Sequence, residues 1–311
     1  MIGSICILLI SLLLIVKGSI NANKYATRLA QGMAMSKYII GLIIVSIISV
    51  LPESLVSINA VLNGVPEFAV ATLFGSNVSD LTLVFAIVIL FSGRKDIKVE
   101  SHILKNNLIY PYLFLLPVIL GLDGHYARRE GIALIGVGIL FYFFVFKNAG
   151  TNKPHKIVSK QQLRTDTFFL AVSLIILLVG AHFTVDSATT LAQQLGVPAI
   201  LIGILIVWVG TTIPELSFSL NAAKNHNDEL AIGDVLGTVL IDATIIVWVI
   251  ALIEPFDFPQ RIIHITGIYM MFTAFIITSL MSTGRILSKK EALFLIAVRL
   301  AFVWIEYAIN T

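Results

Sequence analysis

The chain has 311 residues, of which 58% are hydrophobic and only 13% carry a formal charge. Because soluble domains carry about 25% charged residues, this composition excludes a water-soluble protein and predicts an integral membrane protein. The single cysteine, Cys6, excludes a disulfide within the chain and any cysteine-based metal cluster, and the six histidines lack the spacing of a zinc enzyme. The net charge of +3 favours no particular partner, and we expect no enzymatic activity, no organic cofactor and no nucleic-acid partner.

Apolar stretches long enough to cross a bilayer as helices, about 20 residues each, follow one another along the chain. They predict an all-α integral membrane protein with about ten transmembrane helices. No basic residue precedes the first stretch and Lys17 follows it, so we interpret it as a retained helix rather than a cleaved signal peptide. The predicted helices cover residues 2–16, 38–61, 68–92, 104–122, 131–147, 167–185, 198–222, 230–253, 262–283 and 291–309.

Basic residues are divided unevenly between the two sets of alternate loops. One set carries 17 of the 21 lysines and arginines, whereas the other carries only three, Arg128, Arg129 and Arg261. The positive-inside rule therefore places the first set in the cytoplasm and both termini outside, in a multi-pass protein of the plasma membrane. Arg299 lies within the last predicted helix, where either snorkelling to the interface or pairing with Glu306, one heptad away, would accommodate it.

The two halves of the chain resemble each other. Residues 41–80 align without a gap onto residues 203–242 at a constant offset of 162. Chance similarity between apolar helices rarely matches polar residues in register, so we infer a duplication. The matched residues are Pro52, Glu53, Asn59, Gly75 and Asp80 in the first half and Pro214, Glu215, Asn221, Gly237 and Asp242 in the second.

Five helices in each half make the second copy cross the membrane in the opposite sense. We therefore predict two inverted five-helix repeats, residues 1–147 and 167–311, joined by a cytoplasmic linker at residues 148–166. Secondary transporters use such inverted repeats around a binding site near the bilayer midplane. Because both halves lie in one chain, we expect a functional monomer within the lipid bilayer.

Glu53 and Glu215 each follow a proline well inside a predicted helix. A carboxylate in the hydrocarbon region costs at least about 2.5 kcal/mol, so each must face a cavity or a partner. Proline lacks an amide hydrogen and leaves carbonyl groups of the preceding turn without their helical partners. Carboxylates beside such carbonyls form the oxygen cage that hard cations such as Ca²⁺ prefer, which predicts a cation site.

Asp80 and Asp242 complete the predicted site. They follow Ser76 and Thr238 by four residues, so each carboxylate shares a helix face with a hydroxyl group. These matched pairs predict further oxygen ligands from both halves of the chain.

Two other matched pairs have simpler interpretations. For Asn59 and Asn221 we favour hydrogen bonds between helices. Glu67 and Glu229 fall at junctions between a loop and a helix, where a carboxylate favours the helix N-terminus.

Ser49-Val-Leu-Pro-Glu53, followed by Gly75-Ser76 and Asp80, has its counterpart in Thr211-Thr-Ile-Pro-Glu215, followed by Gly237-Thr238 and Asp242. These motifs resemble the two alpha-repeats of the sodium/calcium exchanger family within the cation/Ca²⁺ antiporters, over essentially the whole chain. The resemblance implies a secondary active antiporter that exchanges Ca²⁺ for Na⁺ by alternating access. It implies that Glu53 and Glu215 bind Ca²⁺ together with the backbone carbonyls of Ser49 and Thr211. The Na⁺ sites that it implies use Ser76, Thr238, Thr212 and carbonyls near Ser46 and Trp208.

The chain departs from the family pattern at several positions. Ile48-Ser49-Val50 stands where the family has Gly-Thr-Ser, which removes one hydroxyl ligand for Na⁺. Asp80 stands where many sodium/calcium exchangers have Asn, and Val239-Leu240 where Ser-Asn is common. The additional carboxylate would suit a Ca²⁺/H⁺ antiporter of the same architecture, because crowded carboxylates hold protons. We favour Na⁺, since the chain lacks the Gly-Asn-Ala-x-Glu motif of the Ca²⁺/H⁺ branch.

A cation channel and an intramembrane aspartyl protease would also place acidic residues within the membrane. Channels usually build their charged rings from several subunits rather than from two halves of one chain. Asp80 and Asp242 lack the Gly-x-Gly-Asp setting of such proteases, and Gly233-Asp234 alone is weak evidence for it. We therefore disfavour both classes.

Overall fold

The computed structural model describes residues 2–30, 40–99, 109–148, 159–196, 207–283 and 285–310, most of which are helical. In chain order the α-helices are α1 (Ile2–Ala30), α2 (Ser46–Ser49), α3 (Leu51–Leu62), α4 (Pro66–Ser79), α5 (Phe85–Phe91), α6 (Ile109–Leu120), α7 (Arg128–Asn148), α8 (Lys160–Leu195), α9 (Trp208–Lys224), α10 (Asp228–Ile241), α11 (Val247–Ile253), α12 (Ile268–Ser282) and α13 (Lys289–Asn310). The π-helical segments are Ile40–Val45, Asp80–Val84, Asp242–Ile246 and Ile263–Gly267. The strands are β1 (Asp96–Lys98), β2 (His125–Tyr126), β3 (Phe256–Asp257) and β4 (Ile286–Ser288).

Each of the ten predicted membrane helices contains helical structure among the described residues. Within that part of the chain, six helices are long and apolar enough to cross a bilayer, and the bent pair Gly41–Ser49 and Leu51–Leu62 makes a seventh. The predicted linker at residues 148–166 is partly helical, because α8 begins at Lys160. Residues 149–158 of this linker lie outside the described residues, as do the first residues of the second, fourth and seventh predicted helices.

Helices α1 and α8 are longer than predicted and pack along each other. The contact is close at Gly180, where an added Cβ would lie 3.1 Å from the carbonyl oxygen of Ser11. Thr184 donates a hydrogen bond to the Ser11 hydroxyl at 2.9 Å. Near the polar ends of the helices, Tyr25 stacks on Phe169 with ring centroids 5.2 Å apart. Hydropathy predicts an end near the first charged residues, whereas the pairing keeps both helices regular beyond them.

The helix that carries Glu53 is broken, as its proline predicts. A turn at Val50 separates α2 from α3, and the segments on either side meet at 44°. Pro52 has no amide hydrogen, so it cannot bond to the carbonyl group four residues earlier. The corresponding break expected before Pro214 is not present in α9, which runs through this proline without interruption over the described residues. Proline bends the first repeat here and is accommodated within a continuous helix in the second.

The broken helix of the first repeat packs against α10 of the second. Two glycines permit this approach. A Cβ at Gly237 would overlap the carbonyl oxygen of Leu42, and one at Gly41 would lie 2.6 Å from that of Leu230. Within the repeats, α3 packs on α4 and α9 packs on α10. The elements that carry the predicted site residues therefore form one packed group.

Two small antiparallel sheets each join one half of the chain to the other. β1 pairs with β4, so that Ile97 lies opposite Leu287, and β2 pairs with β3, so that His125 lies opposite Asp257. The predicted topology places β1 and β4 in cytoplasmic loops and β2 and β3 in external loops. Each sheet thus brings together two loops expected on the same side of the membrane, as an inverted arrangement requires.

We expect the two sheets to be accessible from opposite sides of the membrane. In a Cys6→Ser background, an impermeant maleimide added to intact cells should modify Asp257→Cys but not Lys95→Cys, because the positive-inside rule places β1 and β4 in the cytoplasm. Both positions are exposed in the structure. Asp123→Cys and Lys289→Cys are matched controls. Asp123→Cys, in a predicted external loop, should be labelled, and Lys289→Cys, at the predicted cytoplasmic end of α13, should not. The reverse labelling would invert the orientation, and equal labelling would contradict the sidedness of the two sheets.

Candidate ion-binding site

Glu53 and Glu215 occupy matched positions in α3 and α9, and each residue is only 1% exposed. None of their carboxylate oxygens accepts a hydrogen bond of normal geometry from the described residues. The side chain of Thr211 lies beside the Glu53 carboxyl group, so the second repeat reaches the acid of the first. Because buried carboxylates without donors are costly, both groups require a cation or a proton as a partner.

Asp80 and Asp242 each begin a π-helical segment, at Asp80–Val84 and Asp242–Ile246. Both side chains are buried. Within the described part of the chain, Oδ1 of Asp80 and both carboxylate oxygens of Asp242 accept no hydrogen bond of normal geometry. Asp80 lies beside Glu215 and Asp242 lies beside Ser76, so each acid faces a group from the other repeat. Single π-helical turns within α-helices are frequent at functional sites, and here they mark matched positions.

The predicted hydroxyl ligands are buried, but they differ in their hydrogen bonds. Thr212 Oγ1 and Thr238 Oγ1 have no hydrogen-bond partner among the described residues. Ser76 donates to a backbone carbonyl of its own helix at 2.9 Å, which leaves its oxygen lone pairs for another ligand. Ser49 donates instead to Asp234 at 3.0 Å. This donation likewise leaves the lone pairs of the Ser49 hydroxyl oxygen for another ligand, beside the backbone carbonyl of the same residue.

Asp234 is a fifth buried carboxyl group in this cluster, and the matched motifs of the sequence do not predict it. It accepts hydrogen bonds from Ser49 at 3.0 Å and from Ser219 at 2.8 Å, and it thereby links the two repeats. At the constant offset of 162, its counterpart in the first repeat is Thr72, whose hydroxyl has no hydrogen-bond partner among the described residues. An acid within an apolar helix of one repeat, without an acid at the matched position of the other, is the sequence signal that indicates Asp234.

The buried acids act on one another electrostatically. Glu215 experiences the charges of the other four, Asp80, Glu53, Asp234 and Asp242. In the part of the chain that the structure describes, no three side chains of Asp, Glu, His or Cys are spaced closely enough to hold a metal ion together. A cation bound here must therefore take some of its ligands from hydroxyl groups and backbone carbonyls, as Ca²⁺ commonly does.

Two other matched pairs lie away from this cluster. Asn59 donates to a backbone carbonyl of its own helix at 2.8 Å, and Asn221 accepts from Asn225, one turn later, at 3.1 Å. These bonds are local, so they do not support the interpretation of the asparagines as links between helices, which stays a prediction. Glu67 and Glu229 lie in the first turns of α4 and α10, as expected.

Comparison with known proteins identifies a family. The family model described as sodium/calcium exchanger protein matches residues 3–147 and 165–308. The inner membrane protein YrbG of Escherichia coli (strain K12) is 28% identical over 80% of this chain and 79% of its own. The putative antiporter CaxA of Alkalimonas amylolytica is 30% identical over 74% of each chain. The sodium/calcium exchanger MaX1 of Methanosarcina acetivorans is 25% identical over 97% of this chain and 98% of its own.

Solved structures of the sodium-calcium exchanger NCX_Mj have the same fold as this chain. One of them, soaked with 2.5 mM Na⁺ and 0.1 mM Ca²⁺, matches with a TM-score of 0.72 and 24% identity over 97% of each chain. Another, soaked with 10 mM Na⁺ and 10 mM Sr²⁺, gives a TM-score of 0.73 over 96% of this chain and 97% of its own. These matches confirm the predicted all-helical architecture of two inverted repeats.

We expect Asp234 to stabilise the contact between the repeats. Asp234→Ala leaves two buried hydroxyl groups without their acceptor, at a cost of about 1–3 kcal/mol, so the melting temperature in detergent should fall. Asp234→Asn retains one carbonyl oxygen and should lose less. Thr72→Val is the matched control in the first repeat, and it should change the melting temperature little. Equal effects of Asp234→Ala and Thr72→Val would show that the two hydrogen bonds contribute nothing.

Proposed function

Because the chain belongs to the sodium/calcium exchanger protein family, we propose that it exchanges Ca²⁺ for Na⁺ by alternating access at the site between its two repeats. The coarser statement, that it is a multi-pass cation/Ca²⁺ antiporter of the membrane, follows from the family. One observation carries the finer proposal. Two buried glutamates, one from each repeat, present carboxylate oxygens to which no residue in the described ranges donates a hydrogen bond of normal geometry.

In this proposal Ca²⁺ binds between Glu53 and Glu215. Two carboxylates balance its charge, and the backbone carbonyls of Ser49 and Thr211 supply neutral oxygens. The turn at Val50 supports this assignment on the first side, since it interrupts the helix next to Ser49. The hydrogen bond from Ser49 to Asp234 holds the same residue in place from the second repeat.

Na⁺ would occupy positions between the glutamates and the flanking aspartates. Asp80 and Asp242 supply carboxylate oxygens, while Ser76, Thr212 and Thr238 supply hydroxyl oxygens. The hydroxyl oxygens of Thr212 and Thr238 are buried without a hydrogen-bond partner among the described residues, which supports this assignment. Carbonyls near Ser46 and Trp208 would complete the coordination shells, as exposed carbonyls of interrupted helices do in other secondary transporters.

In this proposal, Ca²⁺ and Na⁺ are exchanged because they compete for the same buried carboxylates. Carboxylates within the membrane are too costly to leave uncompensated, so the site must be loaded with either ion before it changes the side to which it opens. A state that can isomerise only when loaded couples the movement of one ion to that of the other. We infer that a single chain suffices, because each repeat contributes half of the site.

We also propose the orientation and the domain organisation that the sequence predicts. The repeats would comprise residues 1–147 and 167–311, with the linker in the cytoplasm and both termini outside the plasma membrane. The distribution of basic residues supports this orientation. The sheets β1–β4 and β2–β3 support it further, because each pairs loops assigned to the same side.

A Ca²⁺/H⁺ antiporter is the second candidate. It is favoured by the number of acids at the centre, since Asp80 and Asp234 add to the two glutamates and Asp242. Crowded carboxylates hold protons, and releasing them could drive Ca²⁺ movement. Na⁺ remains our proposal because Thr212 and Thr238, three and four residues before Glu215 and Asp242, have buried hydroxyl groups with no hydrogen-bond partner among the described residues.

Glu53→Gln and Glu215→Gln should each abolish Ca²⁺ transport in a folded protein. Glutamine keeps the volume of the side chain but removes a charge that a divalent ion requires from its cage. Uptake of ⁴⁵Ca²⁺ into proteoliposomes under an imposed Na⁺ gradient measures the effect. Glu67→Gln is the matched control, since this acid lies in the first turn of α4 and is partly exposed, and it should transport normally. Normal uptake by Glu53→Gln would place the Ca²⁺ site elsewhere.

The double variant Ser76→Ala and Thr238→Val should distinguish the two coupling ions. It removes neutral oxygens but no charge, so activation by Na⁺ should weaken about ten-fold, the equivalent of about 1.4 kcal/mol, with a smaller change in Ca²⁺ affinity. Ca²⁺ efflux is measured against external Na⁺ at fixed pH, and then against pH without Na⁺. Full exchange in sodium-free buffer, driven by a pH gradient alone, would overturn the assignment of Na⁺.

A further inference from the structure

Arg299 is a charged residue that the proposed exchange does not yet use. It lies near the middle of α13, roughly 15 Å from either end of the helix at a rise of 1.5 Å per residue. Its side chain is buried, with 4% of the residue exposed. Snorkelling to the interface, one of the two accommodations expected from the sequence, is therefore excluded. Among the residues whose burial is described, it is the only buried lysine or arginine.

The surroundings of Arg299 direct it towards the acids at the centre. α13 packs against α5 and against the π-helical segment that begins with Asp80. The guanidinium carbon lies 5.1 Å from the centre of the Phe302 ring, one turn further along. The charged and titratable groups that act on Arg299 are Asp80, Glu306 and Tyr269. Asp80 experiences the positive charge of Arg299 in turn.

The neighbouring hydrogen bonds hold α13 in this position. Tyr269 in α12 donates to the carbonyl oxygen of Val298 at 2.6 Å, directly beside Arg299. Thr266 donates to Glu306, the other acid near the guanidinium group. Glu306 therefore already has a donor, whereas Oδ1 of Asp80 accepts no hydrogen bond of normal geometry from the residues that the structure describes. A guanidinium group carries five N–H donors and can serve both acids.

We propose that Arg299 is a tethered counter-ion of the ion site, whose guanidinium group balances the negative charge of Asp80. The inference rests on the proposed exchange function. Five buried carboxyl groups act on one another at the ion site, and Glu306 is a further buried acid beside Arg299, whose guanidinium group is the only one buried among the described residues. With Asp80 balanced from within the protein, the transported ions meet a position that is close to neutral. The net charge at this position is then closer to that of the neutral Asn found in many sodium/calcium exchangers than the Asp80 side chain alone would give.

The charge balance is tested by Ca²⁺ titration of purified protein in detergent, at alkaline pH and low Na⁺. Arg299→Gln uncovers one negative charge near the cation site, so Ca²⁺ should bind roughly ten-fold more tightly. Adding Asp80→Asn to Arg299→Gln should return the affinity to within about two-fold of wild type, because both charges are then removed together. Arg299→Lys keeps the charge and should stay close to wild type. Unchanged affinity in Arg299→Gln would overturn the proposal.

A second pair of variants separates the two acids. Arg299→Gln with Glu306→Gln should remain as tight as Arg299→Gln alone. Restoration of wild-type affinity by Glu306→Gln but not by Asp80→Asn would make Arg299 a structural partner of Glu306 and would refute the proposal.

Thermal unfolding of the same variants gives a readout that does not depend on Ca²⁺ binding. The loss of melting temperature in Arg299→Gln with Asp80→Asn should be smaller than the sum of the single losses, as expected for paired charges. A loss in the double variant equal to the sum of the two single losses would overturn the pairing. Absence of Ca²⁺ binding in the wild-type protein would contradict the proposed exchange function itself. The comparison of melting temperatures between the single and double variants would still decide whether Arg299 and Asp80 are paired.

Discussion

The cost of keeping ionisable groups in an apolar interior is the constraint on which the rest of this structure depends. Several carboxyl groups lie where neither water nor a protein donor compensates them fully, and each would cost several kcal/mol if left alone. Close packing around the glycines of the broken helix and of α10 brings acids from the two repeats together. The matched π-helical segments at Asp80 and Asp242 belong to the same centre. A protein with this centre is stable only with cations, protons or its own positive charge beside the acids.

The two repeats share four matched acids at the site, and Asp234 is the acid that has no acidic counterpart. Ser57 and Ser219 donate to matched backbone carbonyls at the same distance, 3.4 Å, which shows how closely the halves correspond. Asp234, in contrast, has Thr72 as its counterpart. Its two accepted hydrogen bonds tie hydroxyl groups of both halves to one acid. In the proposed alternating access, an acid present in only one repeat would make the inward-facing and outward-facing conformations unequal in charge.

Much of the architecture could be predicted, because polar residues repeated in register within apolar helices have few explanations other than a duplicated site. The paired Pro-Glu motifs predicted both buried glutamates. Asp234 was not predicted, because the predicted site consists of acids matched between the repeats and the counterpart of Asp234 is Thr72. The lengths of α1 and α8 were underestimated, because charged residues end a hydropathy window but do not end a helix that packs against a partner. The break expected in α9 did not occur over the described residues, since a proline weakens a helix without dictating where it bends.

The sequence by itself determined the lipid environment, the inverted duplication, and the acids and hydroxyls that must face away from lipid. These follow from local composition and from periodicity, which need no knowledge of contacts. Only the tertiary structure decided which of these groups meet. Arg299 and Asp80 are far apart in the chain, and no spacing rule connects them, yet the packing of α13 on the π-helical segment of the first repeat puts their charges within reach of each other. The reason is physical: electrostatic energy depends on distance in space and on burial, and helix packing sets both.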